Sequence, residues 1–221
     1  MNKIRISFVL NIVVFIMTVA ATIIMFMGFK FMPGNGPVLE ATSLEMFKFF
    51  TVDSNIFMGI VALLFAIYEY KYFNKKINSL PKYLYILKLM SCSGVGLTFF
   101  VVFAYLGPIY EGGIYGMLLN SNLFYHFLIP VVSIISFIFF EKNNKLNFKD
   151  SFYGLVPCLL YSVYYCTNVL LHVENGKVSP LYDWYWFIQN GIWTAFIVAP
   201  LIFLISYGIS FLLYKLNKSN L

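Results

Sequence analysis

Charged residues are scarce in this chain. Lys, Arg, Asp and Glu make up only 11% of its 221 residues, whereas they make up about 25% of a typical soluble domain. Hydrophobic residues reach 61% and aromatic residues 20%. There are too few charges to cover a water-exposed surface, so the composition excludes an ordinary soluble domain and predicts an all-α, polytopic membrane protein.

Cysteine and histidine are also rare, and their positions argue against a disulfide-stabilised fold and against a metal-binding protein. Cys92, Cys158 and Cys166 all fall within apolar runs, so we expect small buried residues rather than a disulfide framework. His126 and His172 belong to different runs with no carboxylate cluster beside them, which does not meet the ligand spacing of a metal site. We therefore expect no metal and no cofactor.

Six long apolar runs account for most of the sequence, and a helix needs about 20 residues to cross a bilayer. They predict one domain over residues 1–221 with six transmembrane helices, at about residues 6–29, 49–70, 83–106, 120–140, 151–171 and 187–214. The third run contains the small residues Ser91-Cys92-Ser93-Gly94-Val95-Gly96, which let helix backbones approach closely in a membrane. We expect this helix to be central.

The basic residues divide unevenly between the two sides of the predicted bundle. Apart from Lys30, Lys48 and Lys177, every Lys and Arg, including Lys88, is assigned to the chain ends and to alternate connections. By the positive-inside rule, both termini are then cytoplasmic in a multi-pass protein of the cell membrane. The charges are spread over several short edges, so we expect lipid headgroups rather than nucleic acid as partners. The sequence does not indicate an oligomeric state.

Polar residues inside the runs align by helical periodicity. On the second helix Thr51, Ser54 and Asn55 share a face while Asp53 points elsewhere. The remaining sets are Asn122, His126 and Ser133 on the fourth helix, Tyr161, Tyr165, Asn168 and His172 on the fifth, and Asp183, Asn190 and Thr194 on the sixth. With the predicted topology these lie in the outer half of the membrane, and the cytoplasmic half is expected to be far more apolar.

One pair among these residues could perform chemistry. His126 is the only histidine placed inside a span, and a neutral imidazole can act as a general base near pH 7. The hydroxyl of Thr51 lies at a matching depth on a neighbouring helix and could be its nucleophile.

Structural interpretations of the same residues stay open. Thr51 could cap its helix or hydrogen-bond to its own backbone, and Asp53 could pair with Lys48 or Lys30. The asparagines Asn55, Asn122 and Asn190 could join helices by hydrogen bonds. His172 and Asp183 could simply be solvated at the membrane–water interface. Tyr161 and Tyr165 could serve only to pack the helices.

Two short motifs in the second and fourth runs are similar to those of a known protein family. Phe49-Phe50-Thr51-Val52-Asp53-Ser54-Asn55 and His126-Phe127-Leu128-Ile129-Pro130 resemble the signature of the bacterial six-span Pr6Pr family, which is related to the androgen-induced membrane hydrolases of animals. The segments 157–161 and 180–186 are similar too, so the resemblance covers most of the chain. It implies hydrolysis of fatty acid esters of hydroxy fatty acids, with Thr51 as the nucleophile and His126 as the base.

The expected function is therefore a lipid-ester hydrolase or acyltransferase near the outer leaflet, acting on a fatty-acyl ester. Asn55 and Asn122 could donate hydrogen bonds to the oxyanion. A small-solute transporter or binding protein could use the same polar stripes, although a uniformly apolar cytoplasmic half would count against transport. A non-catalytic structural membrane subunit is the third possibility.

Overall fold

Six long helices make up most of the chain that the structure describes. The computed structural model describes residues 3–34, 41–110, 112–175, 177–188 and 191–218. The helices are α1 (Lys3–Phe26), α2 (Phe50–Phe73), α3 (Lys82–Ile109), α4 (Ser121–Phe140), α5 (Phe148–Leu171) and α6 (Ala195–Lys218). Each is long and apolar enough to cross a membrane, which agrees with the predicted all-α, multi-pass architecture.

Shorter elements connect and modify these helices. A 3-10 helix (Ser43–Lys48) precedes α2, a short α-helix (Gly113–Met117) precedes α4, and a 3-10 turn (Ile192–Thr194) leads into α6. Strands β1 (Val173–Glu174) and β2 (Lys177–Val178) form a small antiparallel hairpin after α5. Wider π turns occur at Val102–Leu106 in α3 and at Phe124–Leu128 and Ser136–Phe140 in α4, and α5 starts as a 3-10 helix over Phe148–Leu155.

Helix α3 lies at the centre of the bundle, as its small residues predict. It is buried at every position from Ser91 to Thr98. A Cβ atom added to Gly94 would lie 3.2 Å from Ser54 Cβ of α2, and one added to Gly96 would lie 3.0 Å from Ile209 Cγ2 of α6. The missing side chains therefore allow two neighbouring helices to approach α3 closely.

The start of α6 differs from the prediction. The helix begins at Ala195, whereas the apolar run suggested a start at residue 187. The carboxylate of Asp183 accepts hydrogen bonds from the backbone N–H groups of Phe187 (3.0 Å) and Ile188 (3.1 Å). Because these N–H groups bond to the Asp183 side chain, they are not available for helical hydrogen bonds. Residues 183–188 therefore form a turn, although most of them are apolar.

The start of α1 and the end of α6 lie at the same end of the bundle. Ser7 Oγ of α1 lies 3.4 Å from Glu141 Oε1, and Asn217 Nδ2 of α6 donates to the Glu141 carbonyl oxygen at 3.1 Å. We call this end the terminal end. The opposite end, which carries the 3-10 helix Ser43–Lys48 and residues 181–188, is called the loop end.

The outer faces of α5 and α6 are apolar and exposed, with side chains such as Leu160, Val163, Phe196 and Leu204 more than half accessible. In a bilayer such faces are covered by acyl chains. Cys92 and Cys158 are buried as predicted, but Cys166 lies on the exposed face of α5. The prediction of a buried residue was wrong there because the fifth apolar run faces outward at that position.

Candidate functional site

The first turn of α2 folds around the carbonyl oxygen of Thr51. This oxygen accepts hydrogen bonds from Asn55 Nδ2 at 2.8 Å and from Ser54 Oγ at 3.2 Å. Ser54 Oγ also lies 3.4 Å from Thr98 Oγ1 of α3, which ties the turn to the central helix. The Thr51 side chain is half-buried, and its hydroxyl makes no hydrogen bond with any other described residue.

His126 lies in the π turn Phe124–Leu128 of α4 and is buried. Pro130, four residues later, has no N–H to donate to the His126 carbonyl, so the regular helical bonding is interrupted there. The imidazole Nδ1 lies 2.6 Å from the Met117 carbonyl oxygen. Because a carbonyl can only accept, Nδ1 carries the proton in the neutral ring and Nε2 keeps its lone pair.

Asn55 connects the Thr51 turn to the His126 turn. Its single Nδ2 donates to the Thr51 carbonyl and to the Tyr125 carbonyl, the latter at 3.1 Å. Tyr125 in turn places its hydroxyl 2.9 Å from Thr22 Oγ1 of α1. The two predicted catalytic residues therefore lie in turns that share one amide nitrogen.

Two buried atoms around the Thr51 and His126 turns, Asn55 Oδ1 and Asn122 Nδ2, have no hydrogen-bond partner among the described residues. One is an acceptor and the other is a donor. Buried polar atoms are normally paired, and a group left without a partner costs about 1–3 kcal/mol. The region thus offers an acceptor, a donor and the free Nε2 of His126, which a polar ligand could satisfy. No hydrogen bond joins Thr51 directly to His126, both of which are described.

Asp53 forms no ion pair with Lys48, one of the two lysines considered as its partner. The Lys48 ammonium lies 3.7 Å from Glu45 instead. Asp53 is half-buried and interacts electrostatically with Tyr161 and Tyr185, so it faces the aromatic residues at the loop end rather than the Thr51 turn.

The fifth-helix residues belong to a separate structural cluster at the loop end. The Tyr161 hydroxyl donates to the Lys48 carbonyl at 2.5 Å and accepts from Trp184 Nε1 at 3.0 Å. Tyr185 accepts a hydrogen bond from the Phe50 N–H at 2.9 Å, and burial raises the pKa of Tyr185 to about 12.

Asp183 is the centre of this cluster. It is 2% exposed, so the expected solvation at the interface is wrong. The Tyr165 hydroxyl donates to its Oδ1, in addition to the two backbone bonds described above. Three donors on one carboxylate compensate for its removal from water.

Asn168 and His172 continue the cluster toward the hairpin. Asn168 Nδ2 donates to the Tyr182 carbonyl at 2.8 Å, while His172 Nδ1 lies 2.7 Å from the Asn168 carbonyl. The His172 ring stacks on the Tyr182 ring with centroids 3.5 Å apart. These residues hold loop 181–188 on α5, and Asn190 lies outside the described residues.

The terminal end contains a buried ionic cluster that the sequence interpretation missed. Lys88 is fully buried inside α3, with Nζ 3.2 Å from Glu141 Oε1. The assignment of Lys88 to a connection was wrong, and so was the expectation of an apolar half at this end. The other members are Ser7, Asn11, Glu69 and Ser136, each at most 1% exposed.

A sequence signal for this cluster was present. Lys88 follows Pro81 by seven residues, well inside the third apolar run, and Asn11 lies in the first run. Ionisable residues inside a membrane span normally face the bundle and pair with one another. Lys88 instead resembled the basic residues of the nearby connection, which lies only a few residues before it in the sequence.

Comparison with known proteins adds no assignment. No protein-family model matches this chain, and neither a curated protein nor a solved structure matches it. The resemblance to the Pr6Pr family therefore stays a prediction carried by the Thr51 and His126 motifs.

Proposed function

We propose that this protein is an intramembrane lipid-ester hydrolase or acyltransferase in which Thr51 is the nucleophile and His126 the general base. The observation that carries the proposal is the Nδ1 contact of His126 with the Met117 carbonyl. It leaves Nε2 unprotonated in the neutral ring, within a buried region that also holds the unpartnered amide of Asn122.

The reaction follows the chemistry of an acyl enzyme. His126 Nε2 takes the Thr51 hydroxyl proton while Thr51 Oγ1 bonds to the ester carbonyl carbon, and the negative charge passes to the carbonyl oxygen. Asn122 Nδ2 donates to this oxyanion. The leaving alkoxide takes the proton from His126, and water then attacks the acyl-threonine with His126 again as base, which releases the acid. An alcohol in place of water gives acyl transfer.

Substrate binding has to bring the Thr51 hydroxyl to the imidazole, since the two make no hydrogen bond in the described structure. Catalytic hydrogen bonds often tighten only when substrate is present. The Asn55 amide already ties the backbones of the two turns together.

The proposal includes an orientation in the membrane. Except for Lys88, the basic residues outside the loop end lie near the chain ends, in the connections of the terminal end or in the helical turns next to these connections. We place the terminal end in the cytoplasm, with the protein in the cell membrane. Thr51 and His126 then lie toward the outer leaflet, where a membrane lipid would supply the ester.

An activity-based probe tests the proposal. The purified full-length protein in lipid nanodiscs is treated with an alkyl fluorophosphonate, which phosphonylates activated hydroxyl nucleophiles. We expect labelling of Thr51 in the wild type and its loss in Thr51→Ala and His126→Ala. The matched controls Thr42→Ala and His172→Ala should keep the labelling, because neither residue lies in the Thr51 turn or the His126 turn. Equal labelling in Thr51→Ala would refute the assignment.

A small-solute transporter is the second candidate, and the buried Lys88 cluster favours it. A uniformly apolar cytoplasmic half would have counted against transport, but the polar Lys88 cluster lies at the end of the bundle that we place in the cytoplasm. A transporter would leave lipid esters intact but would change solute uptake into proteoliposomes when Lys88 or Glu141 is replaced.

A further inference from the structure

We propose that the Lys88 cluster is a proton-binding site in which Glu69 and Glu141 together hold one exchangeable proton. This inference concerns the terminal end and is independent of the chemistry proposed for Thr51.

The first argument is the count of charges. Lys88 brings one positive charge, whereas Glu69 and Glu141 bring two negative charges if both are ionised, and the three residues are at most 3% exposed. An uncompensated charge in a low-dielectric interior is strongly disfavoured. One bound proton makes the site neutral.

Other groups near the carboxylates do not supply this charge. From α1 they face Ser7 and Asn11, and from α4 Ser136, none of which ionises at ordinary pH. From α3, Tyr85 interacts with both carboxylates and Cys92 with Glu141, and either would only add negative charge. Further contacts are uncharged: the Phe65 ring lies 5.5 Å from Lys88 Nζ, Asn143 and Asn217 donate to the Glu141 carbonyl, and Ser91 donates to the Lys88 carbonyl.

The hydrogen bonds assign different roles to the two carboxyls. Glu141 Oε1 accepts from Ser136 Oγ at 2.7 Å and from Asn11 Nδ2 at 3.0 Å, and it lies 3.2 Å from Lys88 Nζ. Such donors stabilise the ionised form. Glu69 has fewer donors: its Oε2 lies 3.4 Å from Asn11 Nδ2, and the Ser7 hydroxyl also interacts with this carboxyl. Glu69 is therefore the residue that carries the proton.

An unpartnered atom points to the same proton. Glu141 Oε2 is buried and has no hydrogen-bond partner among residues 3–34, 41–110, 112–175, 177–188 and 191–218. Asn11 Nδ2 lies between the two carboxyls, within 3.4 Å of one oxygen of each. A protonated Glu69 adds an O–H donor to a cluster that holds an acceptor without a donor, and the charges then balance without a second cation.

Infrared spectroscopy of the full-length protein in nanodiscs tests the proposal, with ¹³C-labelled glutamate to separate these carboxyls from aspartate. The wild type should show one buried protonated carboxyl at neutral pH. Glu69→Gln and Glu141→Gln should both lose this band. In either variant the remaining ionised carboxylate and the Lys88 ammonium have a net charge of zero, so no proton is bound. Lys88→Gln should show about twice the band area. Glu45→Gln, at an exposed glutamate, should leave the spectrum unchanged.

The dependence of stability on pH gives a second readout. The wild type should lose thermal stability as the pH rises and the bound proton leaves, whereas Glu69→Gln should keep its stability. Absence of the wild-type band, or its persistence in both glutamine variants, would overturn the assignment. Stabilisation at high pH by sodium chloride but not by choline chloride would instead identify a sodium ion as the ligand.

Discussion

Lys88 carries a positive charge inside α3 with no exposed surface, so its stability there depends on its partners. Its ammonium donates to Asn11 Oδ1 and pairs with Glu141. Removal of one member of a buried ion pair leaves the other uncompensated, whereas replacement of both by apolar residues is often tolerated.

Lys88→Met is therefore expected to lower the free energy of unfolding by about 3 kcal/mol. Equilibrium unfolding in mixed micelles measures the change. Lys149→Met, at an exposed lysine, should have no effect, and the double variant Lys88→Met with Glu141→Met should regain most of the loss. A double variant as unstable as the single one would show that the pair is not the cause.

Asn122 offers a residue-scale test of catalysis that does not alter the nucleophile. Its Nδ2 has no partner within the described part of the chain, so truncation breaks no hydrogen bond seen for that atom. If this donor stabilises the oxyanion, Asn122→Ala should lower kcat by about 100-fold with little change in KM. The control is Asn74→Ala, at an exposed asparagine after α2. A changed KM with unchanged kcat would assign Asn122 to substrate binding instead.

At the scale of elements, helix contacts depend on where side chains are small. A Cβ atom added to Gly154 in α5 would lie 2.0 Å from Ser210 Oγ of α6 and 2.6 Å from Ser93 Oγ of α3. Three helices meet at this point. In contrast, a Cβ added to Gly208 of α6 would meet no described atom within 4 Å outside its own helix backbone.

Gly154→Ala should therefore destabilise the bundle by about 1–3 kcal/mol through overpacking. Gly208→Ala should be neutral or stabilising by up to about 1 kcal/mol, because alanine favours a helix interior over glycine. Thermal unfolding of the two variants in parallel makes the comparison. Equal effects would mean that α5 and α6 do not pack as described.

The loop after α5 is held by Asp183. Asp183→Ala leaves the N–H groups of Phe187 and Ile188 without their acceptor, a loss of about 1–3 kcal/mol. Because the bonds are local, we expect faster hydrogen exchange in residues 181–188 while α1 to α3 keep their protection. Tyr164→Phe is the control, since this exposed tyrosine contacts the loop only through its ring. Unchanged exchange in Asp183→Ala would contradict the role of the carboxylate.

At the scale of the whole molecule, the proposed orientation can be tested with single cysteines in a chain whose native cysteines are replaced by serine. A cysteine at Leu44, which is 75% exposed at the loop end, should react with a membrane-impermeant maleimide in intact cells. A cysteine at Lys149, exposed at the terminal end, should react only after permeabilisation. The reverse pattern would invert the protein in the membrane.

The sequence was sufficient to predict the helices, because an apolar run of membrane-spanning length has few alternatives. The central position of α3 also followed from local composition. The start of α6 did not, since it depends on where the Asp183 carboxylate finds its donors. Periodicity likewise placed Thr51 and Asn55 on one face, but only the folded chain shows that the Asn55 amide reaches the turn of α4.

The Lys88 cluster could not be assembled from periodicity for a further reason. Its members come from four helices and are separated in sequence by up to 134 residues, the distance from Ser7 to Glu141. Each polar residue appears isolated within its own run, and charge counting along the chain cannot reveal which of them meet.

The order of the cluster along the chain has a consequence for biosynthesis. Asn11, Glu69 and Lys88 lie on the first three helices, so a growing chain that has inserted these helices holds one carboxylate and one ammonium. Glu141 adds the second carboxylate only when α4 joins. If the cluster binds a proton as proposed, completion of the bundle takes up that proton. The acidity at the terminal end would then govern how readily the fourth helix is incorporated.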